Sequence, residues 1–182
     1  MPIISGAGGS GAAGLVKLYD SGSIAGAQAN IDTGANGIAQ TSSALYILIR
    51  ARSDKAASGS ENLIVTLNND SGANYAYSVA NGNGPFSAGG KSDLAAPTGV
   101  MAFPGATSTA NTWGQYSIAC IGYGDAFYKT LTFNGGYVVG TGNEQQLVGF
   151  IQYGSVTALS RMAISFSGSN LIAGSRLLIL GT

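Results

Sequence analysis

Apolar residues come along this chain in short runs, mostly β-branched or aromatic, and Gly, Asn, Ser or Pro stands at the ends of almost every run. Runs bounded in that way read as strands. They predict strands near Leu15–Tyr19, Gln28–Ile31, Leu45–Ala51, Asn62–Asn68 and Tyr75–Val79. Others are predicted near Gln115–Tyr123, Ala126–Phe133, Leu147–Tyr153, Arg161–Phe166 and Arg176–Leu180. Two of them alternate. Tyr75, Tyr77 and Val79 share one face, and Phe127, Lys129, Leu131 and Phe133 share one parity against Tyr128, Thr130 and Thr132. Period-2 alternation marks a half-buried antiparallel strand. Leu45-Tyr46-Ile47-Leu48-Ile49 is apolar throughout and is expected in the middle of a sheet. No segment carries the i, i+3, i+4, i+7 stripe of an amphipathic helix.

Turn residues agree with this. Asn69-Asp70-Ser71-Gly72 and Asn134-Gly135-Gly136 follow predicted strands, and both offer the positive-φ positions of tight hairpins. About ten short strands at this spacing, with no helices between them, predict an all-β fold: an antiparallel two-sheet β-sandwich of jelly-roll type over residues 15–182. One region breaks the rhythm. Asn81–Thr112 holds Pro85, Pro97 and Pro104 with many Gly and Ala, and reads as a long loop. Loops of that length serve a function, rest on a neighbour or cover an open end of their own domain. Its apolar members Phe86, Leu94, Val100, Met101 and Phe103 would be costly to leave in water.

Residues 1–14 form a Gly-rich N-terminal arm. Gly6, Gly8 and Gly11 match the G-x-G-x-x-G pattern of dinucleotide sites. That pattern works between a buried strand and a helix N-terminus. Here only Met1–Ser5 precede it and a predicted strand follows, so no nucleotide is expected. Fixing such an arm costs roughly 1–2 kcal/mol per residue, so a neighbouring subunit is expected to hold it down.

Composition narrows the function. The 182 residues suit one domain with a full core. Charged residues make up 9%, and eight basic residues balance eight acidic ones. Such a surface neither steers towards nucleic acid nor docks on anionic lipid, and it suits a protein packed in an assembly. No apolar run approaches a membrane span, and the N-terminus lacks the basic and apolar regions of a secretory signal, so neither is expected. Cys120, the single cysteine, lies in an apolar run and is expected to be buried and inert.

Chemistry is sparse. The chain has no histidine, which removes Ser-His-Asp and Cys-His catalysis and His-based zinc sites. The acids Asp20, Asp32, Asp54, Glu61, Asp70, Asp93, Asp125 and Glu144 are scattered singly, mostly in turns. A glycosidase pair, with Glu61 and Glu144 as the acids to test, stays formal beside their reading as turn formers. Asn68-Asn69-Asp70-Ser71-Gly72 reads as a turn rather than a calcium loop, because the closing Glu is absent. Arg50, Arg52 and Lys55, with Asp54 among them, are too few for a nucleic-acid face. Nine tyrosines and Trp113 leave a sugar-binding platform beside the plainer reading of sheet faces and subunit contacts. No catalytic residue, metal or cofactor is expected.

Four stretches carry a resemblance. Leu67-Asn68-Asn69-Asp70-Ser71-Gly72-Ala73-Asn74-Tyr75 resembles a hairpin found in many tailed-bacteriophage virion proteins. Ala173-Gly174-Ser175-Arg176-Leu177-Leu178-Ile179-Leu180-Gly181 is similar to the final strand of the same group, though Leu178-Ile179-Leu180 stands where that group often has an aromatic. Leu18–Ile24 and Leu45–Arg52 fall in the same order between these marks. The resemblance implies a non-enzymatic β-sandwich module of the virion. Its expected role is capsid decoration, with the major capsid protein as partner and a homo-oligomer, a trimer, as its state. The alternative is a tail-associated receptor-binding module that grips a host glycan with Tyr side chains and Trp113 near the 81–112 region. Either role places it in the virion, assembled in the host cytoplasm. The matched residues are turn formers and strand apolars, so no catalytic role carries over.

Overall fold

The computed structural model describes residues 14–56, 58–82, 87–140 and 143–182. Met1–Ala13, most of the Gly-rich arm, lie outside the described residues. The described chain is all-β: β1 (Val16–Asp20), β2 (Asn30–Asp32), β3 (Ala44–Ala51), β4 (Ser60–Leu67), β5 (Tyr75–Gly82), β6 (Ser87–Ala95), β7 (Gly99–Pro104), β8 (Gly114–Ile121), β9 (Lys129–Gly140), β10 (Asn143–Tyr153), β11 (Met162–Phe166) and β12 (Arg176–Gly181). An eight-stranded sheet runs β1-β12-β3-β8-β9-β10-β5-β6, and a four-stranded sheet runs β2-β11-β4-β7. Every pairing is antiparallel.

The sheets pack face to face. Leu45, Ile47 and Ile49 of β3, Leu63, Val65 and Leu67 of β4, and Leu177 and Ile179 of β12 fill the space between them. Phe103 of β7 stacks on Tyr116 of β8 with ring centroids 4.9 Å apart, and the Tyr116 hydroxyl donates to the Ala102 carbonyl at 2.9 Å. Tyr19 of β1 likewise reaches the Asp32 carbonyl of β2. Each tyrosine buries its ring and still satisfies its hydroxyl, so it ties the two layers together at no polar cost. β3 does lie in mid-sheet, between β12 and β8. Its apolar run is buried on one face only, because the smaller sheet covers only that side.

All ten predicted strands are present, with shifted ends. The long loop expected at Asn81–Thr112 is not: β5 extends to Gly82, and β6 and β7 occupy half of the rest. Val100, Met101 and Phe103 are core residues of β7, whereas Leu94 on β6 is exposed. Phe86 lies outside the described residues. Both strands sit at sheet edges, where Pro104 can end a strand without breaking an inner ladder and where glycines weaken the strand pattern.

Two turn expectations also need correction. Asn134-Gly135-Gly136 is not a hairpin turn but the middle of β9. A Cβ on Gly135 would come within 2.2 Å of the Gln115 carbonyl oxygen and 2.5 Å of the Tyr116 ring. These glycines make room for the neighbouring strand and its aromatic, rather than supplying a positive φ. Phe127 and Tyr128, expected in this strand, precede it and are exposed. Asn69-Asp70-Ser71-Gly72 is a turn, but β4 and β5 belong to different sheets, so it carries the chain between layers. Asn68 and Asn69 hold φ of 53° and 57° there, a region that Asn tolerates.

Candidate functional site

Each acid singled out in the sequence has a local place. Arg176 donates to Asp20 at 2.6 Å and Arg161 donates to Asp32 at 3.0 Å, joining β1 to β12 and β2 to β11. Asp54 accepts from the backbone and side-chain amide of Asn170. Asp70 accepts from the Gly72 amide at 2.8 Å, the Asn74 side chain and the Tyr153 hydroxyl. These donors favour the charged form and hold all four carboxyls below their ordinary range. The Arg176 guanidinium takes Asp20 to about 2, Arg161 lowers Asp32, the Asn170 amide lowers Asp54, and the Gly72 amide lowers Asp70.

Glu61 and Glu144 are not brought together as a pair. Glu61 is buried on β4, where Ser53 donates to it at 2.6 Å, Lys55 at 3.2 Å, and Ser169 closes a third bond. Glu144 stands exposed on β10 of the other sheet, as Asp93 does on β6. Asp125 closes the turn before β9, its amide donating to the Gly122 carbonyl and its own carbonyl accepting from Lys129. Among the described residues no three His, Cys, Asp or Glu side chains gather as metal ligands.

The basic cluster comes apart in the fold. Arg50 lies over Trp113, 5.2 Å from the ring centroid, and donates to the Gly174 carbonyl. Arg52 turns inward, buried, and donates to the Thr109 carbonyl at 2.8 Å and the Ser108 carbonyl at 3.0 Å. It pins the loop after β7. Lys55 pairs with Glu61. Cys120 is fully buried as expected, and burial pushes its thiol up to about 11, which leaves it protonated and unreactive. No helix among the described residues is long and apolar enough to cross a membrane.

Two surfaces are left once these structural roles are set aside. The first is the outer face of the eight-stranded sheet. Register places Leu180, Tyr46, Ala119 and Thr132 in one row, and Leu178, Leu48, Ser117 and Asn134 in the next. Phe150 and Val148 of β10 continue these rows. From β12 to β10 neither row carries a charged residue, Lys17 and Asp20 entering them only on edge strand β1, and Tyr46, Leu48 and Phe150 remain 46%, 43% and 39% exposed. Alternation alone would have put polar residues there.

The second is a cleft. The smaller sheet ends with β7, which packs on β8 and β9, so the inner face of β5 and β6 overhangs it. Tyr77, Val79 and Asn81 of β5, with Tyr137 and Gln145 of the β9–β10 hairpin, face Asn62 of β4 and Val100 of β7 across a cavity of about 460 Å³. The Tyr137 hydroxyl donates to Gln145 Oε1 at 2.7 Å, and Asn81 Nδ2 donates to the same oxygen at 3.3 Å. Asn81 Oδ1 is buried with no hydrogen-bond partner among the described residues. Trp113 is not here; it lines a separate hollow of about 400 Å³ with Arg52, Ala110 and Ile172. Sequence reasoning singled out Tyr77 only as a strand residue and missed Asn81, Gln145 and Tyr137. Their one signal was polar or aromatic residues at inward positions of alternating strands. Compared with known proteins, the chain matches no family model, no curated protein and no solved structure.

Proposed function

We propose that this protein is a non-enzymatic structural module of a bacteriophage particle, a capsid decoration protein that works as a homotrimer. The observation that carries this reading is the partly apolar centre of the eight-stranded sheet's outer face, around Tyr46, Leu48 and Phe150, where the rows from β12 to β10 hold no charge. A sheet face of this kind is stable when another surface covers it. A second and third copy meet that centre at little electrostatic cost, since its charges, Lys17 and Asp20, lie only at the β1 edge.

The strand order supports a jelly roll as the underlying topology. Setting aside the β5–β6 and β9–β10 hairpins leaves β1-β12-β3-β8 on one sheet and β2-β11-β4-β7 on the other. Counted afresh, those are strands one, eight, three and six against two, seven, four and five, the order of two interlocked Greek keys. Both hairpins then read as insertions that widen one sheet. Jelly rolls serve viral capsids and lectins alike, so the topology agrees with the role without assigning it.

Light scattering on the full chain tests the assembly: a trimer is expected, and Leu48→Asp with Phe150→Asp should release folded monomers. Electron micrographs of the intact particle test the location, with density on the capsid surface expected. A chain that is monomeric at high concentration and found at the tail would overturn the reading. A tail-associated receptor-binding module is then the second reading, and the cleft under β5 and β6 is the observation that favours it.

A further inference from the structure

We propose that the cleft between β5–β6 and β7 is a binding site for an uncharged oligosaccharide, with Asn81, Gln145 and Tyr77 as its principal contacts. Its volume of about 460 Å³ falls within the range of small-molecule sites. The hydrogen-bond network fixes what the cleft presents. Gln145 Oε1 already accepts from Tyr137 and Asn81, so the Gln145 amide turns its Nε2 donor away from them. Asn81 spends its Nδ2 on Gln145, which leaves Oδ1 as an acceptor, buried and without a partner among the described residues. An unmatched buried carbonyl is destabilising, and a ligand donor removes that cost. One amide donor and one amide acceptor held side by side match a hydroxyl, which accepts and donates at once.

The rest of the lining fits the same ligand class. Tyr77, partly buried, and Val79 offer apolar surface to the C–H face of a sugar ring, while Asn62 supplies a further exposed amide on the opposite wall. Among the described side chains that line the cleft, none is charged. The named contacts, two amides and a tyrosine, match neutral hydroxyls rather than a phosphate, sulfate or carboxylate, which call for a charged partner. Gly89 stands opposite Val79, and a Cβ there would meet nothing within 4 Å, so the glycine keeps the cleft open rather than relieving a clash. This inference deepens the second reading and rests on it for ligand class only; oligomer state and location on the particle do not enter.

The test uses the full chain on an array of neutral, sialylated, sulfated and phosphorylated glycans, followed by calorimetry with the strongest neutral binder. A neutral oligosaccharide should bind with a Kd of roughly 0.1–5 mM, typical of a shallow site that orders few side chains. A Cβ at Gly89 meets nothing within 4 Å, so Gly89→Leu places its side chain in the cleft and should weaken binding at least about tenfold with the melting temperature within a few degrees. Asn81→Ala should weaken it by a similar factor, and the side-chain amide resonances of Asn81 and Gln145 should shift on titration. Binding of acidic glycans only, no binding by any neutral glycan, or neutral binding that Gly89→Leu leaves unchanged would each overturn the proposal. None of these results alters the expected trimer or the position in the micrographs, so the two readings fail separately.

Discussion

The eight-stranded sheet has two inner halves with different chemistry. Under β12, β3 and β8 the smaller sheet closes over it, and the inward residues are Leu177, Ile179, Leu45, Ile47, Ile49 and Ile118, all buried. Under β5 no second layer follows, and inward positions beyond Tyr75 become Tyr77, Val79 and Asn81, each partly exposed. Both halves are strands of one continuous hydrogen-bonded ladder. The backbone is therefore the same problem in each, and what differs is whether a second sheet removes water. Where it does, branched aliphatics supply stability; where it does not, the chain can place amides and tyrosine hydroxyls that a closed core would exclude.

This contrast can be broken by experiment. Ile47 is fully buried in mid-sheet. Ile47→Ala should cost about 2–5 kcal/mol in urea unfolding, and Val79→Ala under the overhang should cost less than about 1 kcal/mol. Equal losses would mean that the overhang is a closed core after all. Gly135→Val drives a side chain into the Gln115 carbonyl and the Tyr116 ring and should cost about 1–3 kcal/mol, while Gly89→Leu should leave the melting temperature within a few degrees.

Acid should act on the covered half before the overhang. Asp20, Asp32 and Asp54 tie β1, β2 and the β3–β4 connection to their neighbours, and Asp70 holds the turn between layers. All four carboxyls lie below their ordinary range in the folded protein. The unfolded chain therefore binds more protons between about pH 2 and pH 4, and stability falls as pH drops through that window. Thermal melts at stepped pH should show it, and Asp20→Asn should flatten the slope. The smallest effect is expected at Tyr77→Phe, which keeps the ring and should change stability by less than about 0.5 kcal/mol. A larger loss would show that the hydroxyl has a structural partner.

The apolar runs made ten strands legible, edge strands β1 and β2 among them, because each keeps apolar residues on the face that it packs against the core. β6 and β7 escaped notice for a physical reason. An edge strand needs fewer packing residues, so Ser87–Ala95 carries glycines and Gly99–Pro104 ends on a proline, and both read as loop. The Asn134-Gly135-Gly136 misreading has a similar origin. Glycine marks a turn and a close approach with the same letter, and only the position of the Tyr116 ring distinguishes them. In the cleft, Tyr77 was visible as an alternating residue, but Asn81 and Gln145 are separated by four strands in sequence and meet through pairing of β5 with β10.

Local chemistry determined that this chain is built of antiparallel strands, that Cys120 is inert, and that Asn68–Gly72 turns the chain. Each depends on a residue's own propensity or on its immediate neighbours, and period-2 patterning carries that information directly. Tertiary structure alone decided which strands share a sheet, which face of β3 meets water, and that an inner face is left open beneath β5 and β6. Those outcomes depend on where a second layer ends, and no stretch of sequence records the presence or absence of a neighbour that lies elsewhere in the chain.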